Sequence, residues 1–415
     1  MIFVKEVRVA GIGLGGIFIA GHLPAYTKIP EARLVALSDP LEFALKRALK
    51  KIKEIFPERI AELKEEGLDD EAERLKNIME SIRVYRDYHQ MLEREEPDLV
   101  DICTPHKYHK PIAIDALRAG ANVMVEKPMS RTYIEALEIV ETVKETGRIF
   151  QLNENYIFAG GFYKTRKLIE MGELGELGYL IVPCSHEGPE GSEWYWDPWM
   201  NGGGSLVDIG SHAVAVAWFL VGFDKRPIVV KAEKFTGITL RARSRYISGS
   251  FRNIEVEDDA HVLIKFQDEK DDSWTIALIE GAWSGAEFEC TTLFGSRGSL
   301  KVRGKEERAV IEIEDYLGAK RTIEVPQLVS GMDTFTYEIR NMCRCILGRT
   351  RSFLNEDIGA DIMAMIDAAY YSEIKHRKAI AIEEFKEFAQ KLMKEYGKKA
   401  SEKFIEMKIK NLYQK

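Results

Sequence analysis

Three short runs of this 415-residue chain bring together side chains that bind anions or move protons. The first is Gly11-Ile12-Gly13-Leu14-Gly15-Gly16, which follows a short apolar stretch. Its glycines at 11, 13 and 16 match G-x-G-x-x-G, a spacing that lets backbone amides and a helix N-terminus meet a pyrophosphate. In that pattern Gly11 permits the tight turn, Gly13 admits the phosphate, and Gly16 allows close helix packing. Asp39 comes 23 residues after Gly16, near the ~20 expected of an acid that accepts hydrogen bonds from both ribose hydroxyls. Its charge repels a 2′-phosphate, which favours NAD and leaves NADP as the alternative.

The second run is Asp101-Ile-Cys103-Thr104-Pro105-His106-Lys-Tyr-His109, followed by Glu126-Lys127-Pro128. Lys127 falls at the end of an apolar strand, where α/β sites lie. A lysine there can hydrogen-bond a substrate hydroxyl, and burial lowers its pKa towards useful values. Cys103, His106 and His109 have a metal-like spacing, but no second cluster completes a coordination shell, so no metal is expected. The third run is Gly202-Gly203-Gly204-Ser-Leu-Val-Asp208-Ile-Gly-Ser-His212. Asp208 and His212 are four apart, so on one helix they share a face. An Asp beside a His orients the ring and makes a proton-accepting dyad. The aromatic cluster Trp194-Tyr-Trp196-Asp-Pro-Trp199 reads either as a hydrophobic loop anchor or as a platform for sugar C–H faces.

These runs need elements to hold them. Residues 7–10, 33–37, 99–103 and 122–125 read as strands, with helices near 15–26 and 108–119 between them. Strands alternating with helices predict a doubly wound parallel sheet over residues 1–150. Residues 41–96 are rich in Lys and Glu with periodic Leu, Ile and Ala. They read as an insertion of two or three amphipathic helices punctuated by Pro57 and Gly67. From Gly178 the pattern changes to strands at 179–184, 228–234, 260–266, 274–280, 287–294, 299–302 and 309–313, then helices at 333–347 and 357–376. That predicts an α+β domain over 151–385 with a large, mostly antiparallel open sheet. A basic helical tail covers 386–415, with nine Lys against four Glu.

Composition sets outer limits. The formal charge is −8, from 59 basic and 67 acidic groups, which disfavours nucleic acid as a partner. No apolar run approaches a membrane span, and the start has charges where a signal peptide has its apolar core. Five cysteines, an odd number, point to a reducing cytoplasm.

The ordered motifs resemble the Gfo/Idh/MocA family of glucose–fructose oxidoreductases and inositol dehydrogenases. Further matching runs are His22-Leu-Pro24-Ala25, Asn153-Glu154-Asn155-Tyr156, Gly172-Glu-Leu-Gly175, Gly348, Asp357, Ser372 and His376-Arg377. The resemblance implies a hydride transfer between NAD(P) and a hydroxyl-bearing carbon of a sugar or cyclitol. It implies Lys127, Asp208 and His212 as the catalytic residues, with His212 as general base. It places Thr104, Pro105, His106, His109, Glu126, Lys127 and Asn155 at the cofactor, beside residues 11–16 and Asp39. Lys127, Tyr156, Trp196, Asp208 and His212 are expected at the substrate. Family members often carry an acid three residues past the histidine, where this chain has Ala215. Arg166, Arg241, Arg243 and Arg245 leave a phosphate handle open. The open sheet face suggests a homodimer or homotetramer. Two other functions fit the same fold: an NAD-dependent glycosidase working by transient oxidation, and a non-catalytic nucleotide or sugar sensor.

Overall fold

The computed structural model describes residues 5–236, 244–283, 290–304, 308–326 and 332–413. The chain folds as two units, each threaded from separate segments. The first comprises Met1–Glu126, Glu138–Asn153 and Met332–Asp357; the second comprises Lys127–Leu137, Glu154–Gly331 and Ile358–Lys415.

In the first unit, six strands form one sheet: β1 Val7–Ile12, β2 Ala32–Ser38, β3 Arg83–Tyr85, β4 Leu99–Ile102, β5 Asn122–Glu126 and β6 Phe150–Asn153. Their order is β3-β2-β1-β4-β5-β6, and every pair is parallel. This is the doubly wound sheet expected, and its order reverses between β1 and β4. The glycine run leaves β1 and the Thr104 loop leaves β4, so both sit at the carboxyl ends beside that switch point, where such sheets bind ligands.

The 41–96 stretch is more than a helical decoration. Helices Glu42–Glu65 and Asp69–Ser81 form as the periodicity predicts. Gly67, at φ 74°, separates them, but Pro57 lies inside the first helix without ending it. Ala48, Ile52, Phe56, Leu75 and Ile78 join Val7, Val9 and Leu34 in one hydrophobic core. The stretch also carries β3, which pairs with β2. Sequence periodicity missed this strand because it is three residues long and mostly exposed. The helix Thr334–Ile346 adds Ile339, Met342 and Cys343 to the same core.

The second unit is built on a nine-stranded sheet. Its strands are β7 Leu177–Ser185, β8 Arg226–Thr236, β11 Asp259–Gln267, β12 Trp274–Ala282, β13 Cys290–Gly295, β14 Gly298–Arg303, β15 Arg308–Asp315, β16 Lys320–Pro326 and β17 Ile380–Ala381. A separate hairpin, β9 Ser244–Ile247 and β10 Ser250–Asn253, was not foreseen. The sheet order is β16-β15-β14-β13-β7-β12-β11-β8-β17. Only β7 and β12 run parallel; the other pairs are antiparallel. The expected strand 287–294 begins outside the described residues. The helix Gly210–Val221 is buried along its whole length and packs on β7 and β12. The opposite face carries the half-exposed row Tyr179, Ile181, Leu263, Ile276 and Leu278.

The basic tail forms two helices, Ile382–Tyr396 and Ala400–Tyr413. Phe385, Ala389, Leu392, Phe404 and Ile405 are buried. All five cysteines are free thiols. No single described helix is long and apolar enough to cross a membrane.

Candidate active site

The glycine run in the first unit forms a tight loop, and the glycines divide its work differently from the sequence expectation. Gly13 makes the turn: its φ is 87°, and a Cβ there would lie 2.6 Å from Thr104 Cγ2 and 2.8 Å from the Cys103 carbonyl. Gly11 serves close packing, since its Cβ would meet Phe18 at 2.6 Å. Gly16 meets nothing within 4 Å, and Gly15 only the Cys103 carbonyl at 3.9 Å. The loop is therefore open where backbone amides would meet a phosphate. The helix that follows begins near Gly16 and widens into a π-helical segment, Phe18–His22, a form often found near functional sites.

Asp39 accepts hydrogen bonds from the amides of Leu14 and Leu41, both at 2.9 Å. This ties the acid to the glycine loop and leaves lone pairs on a carboxylate that has about four acceptor sites. Arg47 of the inserted helix donates to the Leu14 carbonyl at 2.6 Å. Thr104 Oγ1 is buried with no hydrogen-bond partner among the described residues. Such orphans are rare without a missing ligand or water. An open glycine loop, a fixed acid and an orphaned hydroxyl beside Gly13 fit a dinucleotide.

Two of the residues expected at the cofactor brace the protein as well. His109 is fully buried, and its Nε2 lies 2.7 Å from the Thr104 carbonyl. It holds the 104–109 loop. Glu126 places Oε1 2.9 Å from His22 Nε2, while His22 Nδ1 lies 2.8 Å from Asp101. Tyr26 also donates to Asp101 at 2.7 Å, and Cys103 Sγ lies 3.4 Å from His22 Nδ1. Burial opposes charge on His22, but Asp101 more than offsets it and raises the pKa well above its ordinary value. His106 is buried beside His109, with ring centroids 5.5 Å apart.

The second unit holds Lys127, Asp208 and His212, and it pairs them in an unexpected way. Lys127 Nζ donates to Asp208 Oδ1 at 2.9 Å and to the Asp208 carbonyl at 3.2 Å. Trp283 Nε1 donates to Asp208 Oδ2 at 3.1 Å. His212 instead places Nδ1 2.6 Å from Glu154 Oε1, and its ring stacks on Tyr156 at 4.0 Å. The expected Asp208–His212 dyad is thus replaced by a Lys127–Asp208 pair and a His212–Glu154 pair. The reason is local: a short helical turn, Ser205–Asp208, ends before the helix Gly210–Val221 begins, so the spacing of four does not fall on one helix. Glu154 was visible in the Asn153–Tyr156 run. The signal that could have singled it out is its place just past the carboxyl end of β6. No described residue hydrogen-bonds His212 Nε2. Asn155 is buried next to Glu154.

Trp196 is an anchor rather than an open platform. It is buried, donates Nε1 to the Pro189 carbonyl at 3.3 Å, packs on Trp283 at 4.9 Å and lies under the Arg245 guanidinium at 4.7 Å. Arg245 is itself paired with Asp258 and with Glu190. Arg166 pairs with Glu170 and donates to the Leu220 carbonyl. Arg241 and Arg243 lie outside the described residues.

The Gly202–Gly204 run is required by packing. A Cβ on Gly202 would lie 2.4 Å from the Arg131 carbonyl, one on Gly203 2.2 Å from the Tyr370 hydroxyl, and one on Gly204 1.9 Å from the Glu257 carbonyl. Glu257 Oε1 accepts from the amides of Gly204 and Leu206 and from Tyr370 Oη. Burial pushes the Glu257 carboxyl up to about 7. Sequence reasoning missed Glu257, Tyr370, Asp367 and Lys408, all of which support this run.

Residues 7–154 match the family model described as "Oxidoreductase family, NAD-binding Rossmann fold", and residues 162–301 match the same family's C-terminal domain. Together these span more than half of the chain. The D-glucoside 3-dehydrogenase of Escherichia coli (strain K12) is 30% identical over 187 residues, 44% of this chain and 52% of that protein. The glycosyl hydrolase family 109 protein 2 of Shewanella sp. (strain ANA-3) is 32% identical over 186 residues, 44% of this chain and 36% of that protein. The chain thus matches about half the length, or less, of these relatives. An aldose-aldose oxidoreductase from Caulobacter crescentus, solved with glycerol, shares the fold. Its TM-score is 0.70 at 20% identity, covering 91% of this chain and 100% of that one.

Proposed function

Because the chain belongs to the Gfo/Idh/MocA oxidoreductase family, we propose that it is an NAD-dependent dehydrogenase acting on a hydroxyl-bearing carbon of a sugar or cyclitol. The observation that carries this reading is the pairing in the second unit. One ammonium is pinned by a buried carboxylate, and one imidazole is held at Nδ1 by another. Bound NAD supplies the hydride acceptor. The residues of the first unit that would hold it are Gly11–Gly16, Asp39, Thr104, Pro105, His106 and Glu126. Asp39 favours NAD over NADP by its charge.

The chain's own residues manage the proton. Glu154 accepts from His212 Nδ1, which fixes the tautomer in which Nε2 is the basic nitrogen. His212 Nε2 then takes the substrate hydroxyl proton. Lys127, aimed by Asp208 and through it by Trp283, donates to the same oxygen and steadies charge developing there. Tyr156, stacked on His212, restricts the ring and supplies a hydroxyl for the substrate.

The test is a screen of sugars, cyclitols and their phosphates with NAD, read by NADH fluorescence. Lys127→Ala removes turnover and leaves NAD binding intact; normal turnover in that variant refutes the assignment. The hydrolase relative supports a second reading, glycoside cleavage by transient oxidation, which consumes no net NAD. Release of nitrophenol from a nitrophenyl glycoside without NADH accumulation selects it. The half-exposed apolar row on the large sheet supports a homodimer or homotetramer, checked by light scattering. The free thiols agree with a cytoplasmic location, checked by cell fractionation.

A further inference from the structure

The last helix, Ala400–Tyr413, reaches the two segments that carry Lys127 and Asp208. Lys408 is only 3% exposed. Its Nζ donates to Asp367 Oδ1 at 2.6 Å and to the Gly202 carbonyl at 2.9 Å, and it lies 4.2 Å from the Tyr370 ring centroid. The other Asp367 oxygen accepts from the Tyr133 amide at 2.7 Å. One buried ammonium therefore fastens the backbone six residues before Asp208 and, through one carboxylate, the backbone six residues after Lys127. About two turns earlier, the same helix makes further contacts with residues 131 and 132. Ser401 Oγ lies 2.9 Å from Thr132 Oγ1, and Glu402 pairs with Arg131 at 3.2 Å. Arg131 in turn donates to the Trp199 carbonyl at 2.8 Å.

A buried charge needs a strong reason to be there, since an apolar side chain would pack at lower desolvation cost. Surface capping does not supply one at this depth. What the ammonium does that an apolar group cannot is hold a carbonyl and a carboxylate from two distant segments at fixed distances. We propose that Lys408 is a positioning residue: it holds the 127–133 and 202–208 segments in register, so that the C-terminal helix sets the geometry of the Lys127–Asp208 pair. This rests on the function proposed above only for the meaning of that pair, not for its existence.

The test compares full-length Lys408→Met with Lys408→Arg and with Lys410→Met, a control at an exposed position of the same helix. The first readout is the rate at which trace acetic anhydride labels the Lys127 amine, followed by peptide mass spectrometry; it needs no substrate. The second is kcat and KM on whichever substrate the NADH screen finds. Lys408→Met is expected to change Lys127 labelling several-fold. It should also lower kcat about a hundredfold, the scale of a misplacement of about 1 Å, with NAD affinity unchanged. Lys408→Arg restores part of both. A role in stability alone would lower the melting temperature and leave both readouts at the Lys410→Met level, which overturns the proposal. If Lys408→Met does not fold, Asp367→Asn carries the same two predictions. If no compound in the screen is turned over, the proposed function fails, and the labelling result still decides the role of Lys408.

Discussion

His22 and His212 are both buried and both bonded to carboxylates, yet the protein engages their ring nitrogens differently. His22, in the first unit, has a carboxylate on each ring nitrogen and no exposure. Its pKa is raised well above the ordinary value, so it stays an imidazolium and exchanges nothing near neutral pH. His212, in the second unit, has a carboxylate on Nδ1 alone and a tyrosine against its ring. The lesson is that a histidine's role follows from how many of its nitrogens the protein has already used. Two engaged nitrogens make a strut; one engaged nitrogen leaves the other for the proton transfer proposed above.

The sharpest way to break this comparison is at His212. His212→Asn should lower kcat by about 10²–10⁴-fold, the usual worth of a general base, while thermal stability changes little. A variant that keeps its rate would make His212 a strut as well. His22 should behave the other way. His22→Leu leaves Asp101 and Glu126 buried without their cation and should cost about 3–5 kcal/mol in urea unfolding. The sign with pH follows from the raised pKa. The His22 contribution is fully present below about 6.5 and is lost as pH rises through the higher folded-state value, so wild-type stability falls with alkalinity and the variant lacks that slope.

Glu154→Gln tests the orienting bond and should lower kcat by about ten- to a hundredfold, less than loss of His212 itself. The smallest effect is expected at Glu257, whose folded-state pKa is raised from 4.5 to about 7 by burial. A raised carboxyl favours the folded state at low pH, and that contribution is lost as pH climbs from about 4.5 through about 7. Glu257→Gln should therefore flatten the fall in the urea midpoint across that window.

The comparison also shows what a sequence can and cannot disclose. The glycine loop, Asp39 and the parallel strands were legible because each depends on short-range rules: turn geometry, period and spacing. The pairings were not, because Lys127 and Asp208 are 81 residues apart and Glu154 and His212 are 58 apart. The i, i+4 rule joined Asp208 to His212 only on the assumption of one continuous helix, and Ile209 lies between two. Strand β3 is too short to show an alternation. In the tail, nine lysines concealed the one that matters, since composition does not distinguish a solvated ammonium from a buried one.

The first unit is closed by a late segment: the Leu152 amide of β6 donates to the Leu354 carbonyl at 2.8 Å, and the Thr334–Ile346 helix completes its core. On the ribosome, the dinucleotide unit therefore cannot finish folding when its six strands have emerged. It must wait, with part of its apolar surface uncovered, until nearly two hundred further residues have been made. Synthesis order and folding order are thus uncoupled in this chain, and a polypeptide cut after the sixth strand should aggregate rather than fold.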